Sequence, residues 1–138
     1  MIVDGKDLIL GRMNTFIAKK LLLGETINVV NCEQVLISGD KKKVLALYKK
    51  NYDRMTHATG PFIPKTADRF VKRSIRGMLP YKTAHGLDAY KRLRCYVSVP
   101  DSLKDQKFET FKVAHVSKLP NLKYISVKEI CRFIGGKQ

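Results

Sequence analysis

The sequence predicts an α/β fold: a single domain, residues 1–138, in which a short, mostly parallel four-stranded sheet lies between helices on both faces. Two patterns carry this expectation. Short runs rich in β-branched residues alternate with longer stretches whose apolar residues recur three and four apart, the mark of βαβ units. The length of 138 residues and a hydrophobic fraction of 44% suit one ordinary core, which excludes a disordered basic tail.

Taken in order, Met1–Asp4 reads as a strand, followed by a loop at Gly5–Asp7. Gly11–Leu23 reads as a helix with Met13, Phe16, Ile17 and Leu21 inward and Gly24 as its stop. Thr26–Cys32, with β-branched Ile27, Val29 and Val30, reads as the central strand. Val35–Ser38 is a short extended piece before a turn at Gly39-Asp40. Asp40 can cap a helix to about Met55, with Val44, Leu47, Tyr48, Tyr52 and Met55 on its apolar side. Thr66–Gly77 reads as the next helix, Thr66 its N-cap and Gly77 its C-terminal cap, with Pro80 blocking an immediate restart. A turn over Met78–Gly86 leads to a short basic helix, Leu87–Arg94, and a strand from Arg94 to Val99 ended by Pro100. A C-terminal extension begins at about residue 101. In it Val113–Val116 is a strand or an extended arm, and Ser126-x-x-Glu129 is a capping box with Ile125 and Ile130 placed as a hydrophobic staple. The last helix stops at Gly135-Gly136.

Charge is distributed unevenly. The net +15 comes from a near-neutral first forty residues, with four bases and five acids, and a basic middle. Residues 41–54 hold six bases and one acid, and residues 65–94 hold nine and two. Concentration of this kind indicates an oriented face for a polyanion rather than mere solubility. In the helix Thr66–Gly77 the separation is clean. Ala67, Phe70, Val71, Ile75 and Met78 form an apolar stripe, and Arg69, Lys72, Arg73 and Arg76 form a cationic one. Like charges three and four residues apart repel, so an external anion is the natural neutraliser. The guanidinium fork of arginine matches phosphate oxygens.

Further candidate nucleic-acid contacts lie along the chain: Arg12, Lys41, Lys42, Lys43, Arg54, His57, Lys65, Tyr81, Lys82, His85, Lys91, Arg92 and Arg94. Lys41, Lys42 and Lys43 occupy a first helical turn, where the helix dipole disfavours cations; a phosphate held by amides and ammoniums together accounts for them, and a solvated charge run is the alternative. The loop His57–Pro64 contains two prolines and is expected to be stiff. His57, Phe62 and Tyr81 can stack on splayed bases, with a core contact the favoured reading for Phe62.

Catalytic classes find little support. His57, His85 and His115 are not at metal-ligand spacing, no phosphate-binding glycine loop occurs, and the acids are scattered. No cofactor, small-molecule substrate or membrane partner is expected. There is no long apolar run, the first residues lack a signal-peptide pattern, and the three widely spaced cysteines imply reduced thiols in a cytosol-like compartment. Two rivals stay open: a free-standing nucleic-acid-binding regulator and a nucleic-acid enzyme.

The run RSIRGMLP over Arg73–Pro80, then YKTAHG, then AYKRLRCYVSVP, resembles the signature of the large-subunit ribosomal protein L-thirteen (L13) family, in its archaeal and eukaryotic branch. GPFIPKTADRF and the opening IVDGKDLILGRMNTFIAKKLLLG are similar to that branch as well. The resemblance implies a structural protein of the large ribosomal subunit in the cytoplasm, with ribosomal RNA and neighbouring ribosomal proteins as partners and a role in subunit assembly. It also implies a basic residue where His85 stands and a glycine where Ser98 stands.

Overall fold

β-branched runs and three-four apolar spacing do produce alternating strands and helices. The computed structural model describes residues 1–136 and runs β1 (Ile2–Asp4), α1 (Leu10–Leu22), β2 (Ile27–Val30), β3 (Leu36–Ser38), α2 (Lys41–Asp53), α3 (Ala67–Arg76), α4 (Ala84–Lys91), β4 (Leu93–Cys95), β5 (Tyr124–Ser126) and α5 (Val127–Phe133). β1, β2 and β4 form a parallel sheet with β2 in the middle, Val3 opposite Val29 and Ile27 opposite Leu93. Ile27 and Val29 point to one side of β2 and Val30 to the other, and all three are fully buried, so both faces of the central strand are covered.

The expected α/β class holds, but in place of one four-stranded sheet there are a three-stranded parallel sheet and a two-stranded antiparallel one. β3 leaves the parallel sheet and pairs antiparallel with β5, Ile37 opposite Ile125. The reason lies just upstream. Asn31 adopts a left-handed conformation at φ 54 and opens a 3-10 turn, Cys32–Gln34, that carries the chain away from β2. The free edge of β1 is met instead by Glu109, whose N–H donates to the Ile2 carbonyl at 2.8 Å and whose carbonyl accepts from Asp4 at 3.1 Å. Val113–Val116 is no strand. Two 3-10 turns, Lys112–Ala114 and Val116–Lys118, flank His115, which bridges to Leu8.

Three helices, α2, α4 and α5, start on side-chain caps. The Asp40 carboxylate accepts the Lys42 N–H at 2.9 Å and starts α2. Ser126 Oγ accepts from Glu129 N–H at 3.3 Å, and Ile125 and Ile130 are both buried as the staple requires. Glu129 does not reach back to close the box; its carboxylate meets Lys41 at 2.5 Å. The short basic helix begins earlier than expected, at Ala84, because Thr83 Oγ1 accepts the Gly86 N–H at 3.2 Å. It also ends earlier, because Leu93 is needed in the sheet, where it is fully buried.

α1 buries Met13, Ile17 and Leu21. Phe16, expected inward, sits at the margin and stacks on Phe111 with ring centres 5.1 Å apart. No residue of α2 is fully buried, and Leu47, expected on its apolar side, is 56% exposed. Val44, Leu45 and Tyr48 are the ones that lean on the core. One hydrophobic cluster joins the sheet to α1, α3 and α5 and takes in Ile125, Val127, Ile130 and Cys131 from the end of the chain. Burial, aided by the charge of Asp68, pushes the Cys131 thiol up to about 11. The hydrogen bond with Cys95, followed by burial, raises that of Cys32.

Candidate nucleic-acid interface

α3 positions the cationic ladder by burying its other side. Ala67, Phe70, Val71 and Ile75 are in the core, so Arg69, Lys72, Arg73 and Arg76 are forced outward. The helix is also pinned by a residue that periodicity alone passes over. Asn14, fully buried in α1, donates from Nδ2 to Ser74 Oγ at 2.9 Å. Its sequence signal is a lone amide within the stripe Met13, Ile17, Ala18 and Leu21. Thr66 takes the N-cap backbone position but makes no capping bond, and its Oγ1 is buried without a partner among the described residues. Gly77 ends the helix at φ −64, not as a left-handed cap. Periodicity fails there: Met78, expected on the apolar stripe, is 43% exposed and Leu79 is buried in its place.

The outward cations are held without being neutralised. Among the described residues none of Arg69, Lys72, Arg73 and Arg76 pairs with a carboxylate. Aromatic rings and a carbonyl orient Lys72, Arg73 and Arg76 instead. Lys72 Nζ lies 5.1 Å from the centre of the Tyr90 ring, and the Arg76 guanidinium 5.0 Å from that of Tyr81. Lys65 Nζ is likewise 5.1 Å from the centre of Tyr52. Arg73 donates from Nη1 to the Phe62 carbonyl. A ring's quadrupole attracts a cation yet leaves its full charge in place, so the face stays electropositive.

These side chains border a trough between α3 and the Pro-rich loop. A hollow of about 580 Å³ is lined by Phe62, Pro64, Lys65, Arg69, Lys72, Arg73, Arg76 and Tyr90. A second, of about 410 Å³, shares Arg69, Lys72 and Tyr90 with it and adds Arg94 and Tyr96. A third, of about 460 Å³, shares Arg73 and reaches Arg54 at the end of α2. Phe62, read from sequence as a core contact, is 61% exposed on the trough wall. The loop's two prolines and its bond to Arg73 hold it out from the core, which is already filled by Phe70 and Val71.

The remaining candidates divide. Tyr81, Lys82 and His85 are exposed on the turn before α4 and in its first residues. Gly86 makes that turn possible, since a Cβ there would lie 2.1 Å from the Pro80 carbonyl oxygen. His57 is exposed in the tight turn between Thr56 and Gly60. Lys41, Lys42 and Lys43 lie at the opposite end of α2 from Arg54, about 20 Å away at 1.5 Å per residue. Lys41 and Lys42 line a separate hollow with Lys123. Arg12 is exposed on α1 and reaches the Val113 carbonyl at 3.5 Å. Lys91 is paired with Asp88 at 3.2 Å. Arg92 is turned inward: it donates from Nη2 to the Leu21 carbonyl at 2.9 Å, capping the end of α1.

Fold and face together define a class, the small basic α/β domains that present an unneutralised cationic surface. Residues 1–102 match the family model described as Ribosomal protein L13, and the chain belongs to that family. The large ribosomal subunit protein uL13 of Archaeoglobus fulgidus is 43% identical over 135 residues, covering 97% of this chain and 86% of its own. Its namesake from Methanosarcina barkeri is 44% identical over 137 residues, covering 99% and 98%. That of Aeropyrum pernix is 39% identical over 141 residues, covering 99% and 90%. Similarity to these relatives therefore continues past residue 102 and covers nearly the whole chain.

Proposed function

We propose that this protein is a structural constituent of the large ribosomal subunit in the cytoplasm, binding large-subunit ribosomal RNA and touching neighbouring ribosomal proteins. The relatives named above carry the name of that subunit. The observation that carries the RNA-binding reading is the α3 ladder, four cations without a carboxylate partner among the described residues, open on a trough beside a stiff loop. Phosphates of adjoining RNA segments repel one another; a row of fixed guanidinium and ammonium groups between them removes that repulsion. The mechanism is an electrostatic clamp. No group of His, Cys, Asp or Glu among the described residues could hold a metal ion, and no helix among them is long and apolar enough to cross a membrane.

Two measurements test the reading. Affinity for large-subunit RNA fragments is expected to fall steeply as salt rises, because each neutralised phosphate releases counterion. On sucrose gradients of a lysate the protein is expected to sediment with the large subunit. A flat affinity between low and physiological salt overturns the clamp, and a pool largely outside the subunit points to a free-standing regulator.

A further inference from the structure

Phosphate binding leaves one feature of the trough unexplained: an apolar ring set among its cations. Phe62 is 61% exposed, yet its position is closely defined. Gly60, at φ +76, approaches the ring so tightly that a Cβ there would lie 3.1 Å from ring carbon Cδ2. The Phe62 carbonyl accepts from Arg73, and Pro61 and Pro64 stiffen the chain on either side. The ring thus stands as a fixed flat wall, with Arg69, Lys72 and Arg73 around the same hollow.

An intact RNA duplex offers this wall nothing, because its exposed surface is phosphate, ribose and base edges while the base faces are stacked inside. A splayed nucleotide offers both parts needed, a flat apolar face for the ring and a phosphate for the cations. At about 580 Å³ the hollow falls within the ~300–1,000 Å³ range of pockets that enclose small ligands. We propose that the trough takes a single-stranded, unstacked nucleotide of RNA, its base against Phe62 and its adjoining phosphate held by Arg69 and Arg73. This rests on the reading of the face as RNA-binding and adds the class of RNA that it selects.

The test compares two RNAs of equal length and phosphate number, a continuous duplex and the same helix interrupted by a short bulge carrying 2-aminopurine. The full chain is used, as wild type, Phe62→Ala, Phe62→Trp and Arg69→Ala. Wild type is expected to prefer the bulged RNA and to quench the 2-aminopurine. Phe62→Ala should lose about tenfold on the bulged RNA, the scale of one base–aromatic stack, with duplex affinity and salt slope unchanged. Phe62→Trp should retain the preference, and Arg69→Ala should weaken both RNAs. Equal binding of the two RNAs by wild type, or no effect of Phe62→Ala while salt-dependent RNA binding persists, overturns the proposal alone. The second result would assign the ring to a protein partner instead. Salt-independent or absent binding of both RNAs overturns the RNA-binding reading and this proposal with it.

Discussion

Ser98 holds φ +62, a left-handed conformation that costs an L-residue roughly 1–2 kcal/mol. The surrounding structure enforces it. The Ser98 N–H donates to the nearly buried carboxylate of Glu33 at 3.1 Å, and its carbonyl accepts from Asn31, so the strand must bend there. A glycine relieves the strain and loses about 0.4–1 kcal/mol to the greater freedom of the unfolded chain. Ser98→Gly is therefore expected to stabilise the protein by on the order of 0.5 kcal/mol, read as a small rise in melting temperature with the fold unchanged; a fall would show that the serine hydroxyl contributes to the turn. The residue at which the chain departs from its resemblance is thus also one at which its backbone keeps the glycine conformation. Asn14 and Phe62 make the complementary point. One is polar and buried, the other apolar and exposed, and each is understood only with the Ser74 hydroxyl or the Arg73 guanidinium beside it.

At the scale of the element, α3 separates stability from binding within one turn. Ile75 is fully buried, and Arg76 next to it lies over Tyr81 at the surface. Ile75→Asp places an unpaired carboxylate in the core and should cost upward of about 4 kcal/mol, enough to unfold most of the population. Arg76→Ala removes a surface cation–π contact, about 0.5–1 kcal/mol of stability, and should lower the salt slope of RNA binding by about one. Thermal melts and a salt titration of the two variants check this; equal behaviour would mean that the helix faces the other way. α2 tests the dipole. Lys41 is compensated by Glu129, but Lys42 and Lys43 stand exposed in the first turn with no carboxylate among the described residues. Lys42→Gln with Lys43→Gln should leave stability unchanged or raise it by about 1 kcal/mol while weakening RNA binding. A lower melting temperature with full binding would assign these lysines to the fold.

For the whole molecule, the family model ends at residue 102 while the core does not. Ile125 seals β3 through β5, and Val127 and Ile130 of α5 and Ile134 just after it are buried. At about 1.5–3 kcal/mol for each large apolar side chain, these four account for roughly 6–12 kcal/mol, as much as a domain's entire stability of about 5–15 kcal/mol. A chain ending at residue 102 is expected to lose cooperative unfolding and dispersed amide signals in NMR, whereas the full chain keeps both. A folded truncated chain would make the C-terminal segment a true appendage.

The sequence alone determined the α/β class, the caps Asp40 and Ser126, the central place of β2 and the two faces of α3. All of these rest on local chemistry or on a period of two or three to four residues. The family was legible for a different reason, in that RGMLP, YKTAHG and AYKRLRCY form an extended run rather than an isolated motif. Tertiary structure decided what depends on residues far apart in the chain. It sent β3 to β5, filled the edge of β1 with Glu109, drew Arg92 inward to the end of α1 and held Phe62 out over the trough. Each of those outcomes satisfies a backbone carbonyl, a sheet edge or a core volume supplied by a distant segment, and periodicity along the chain carries no information about such a partner.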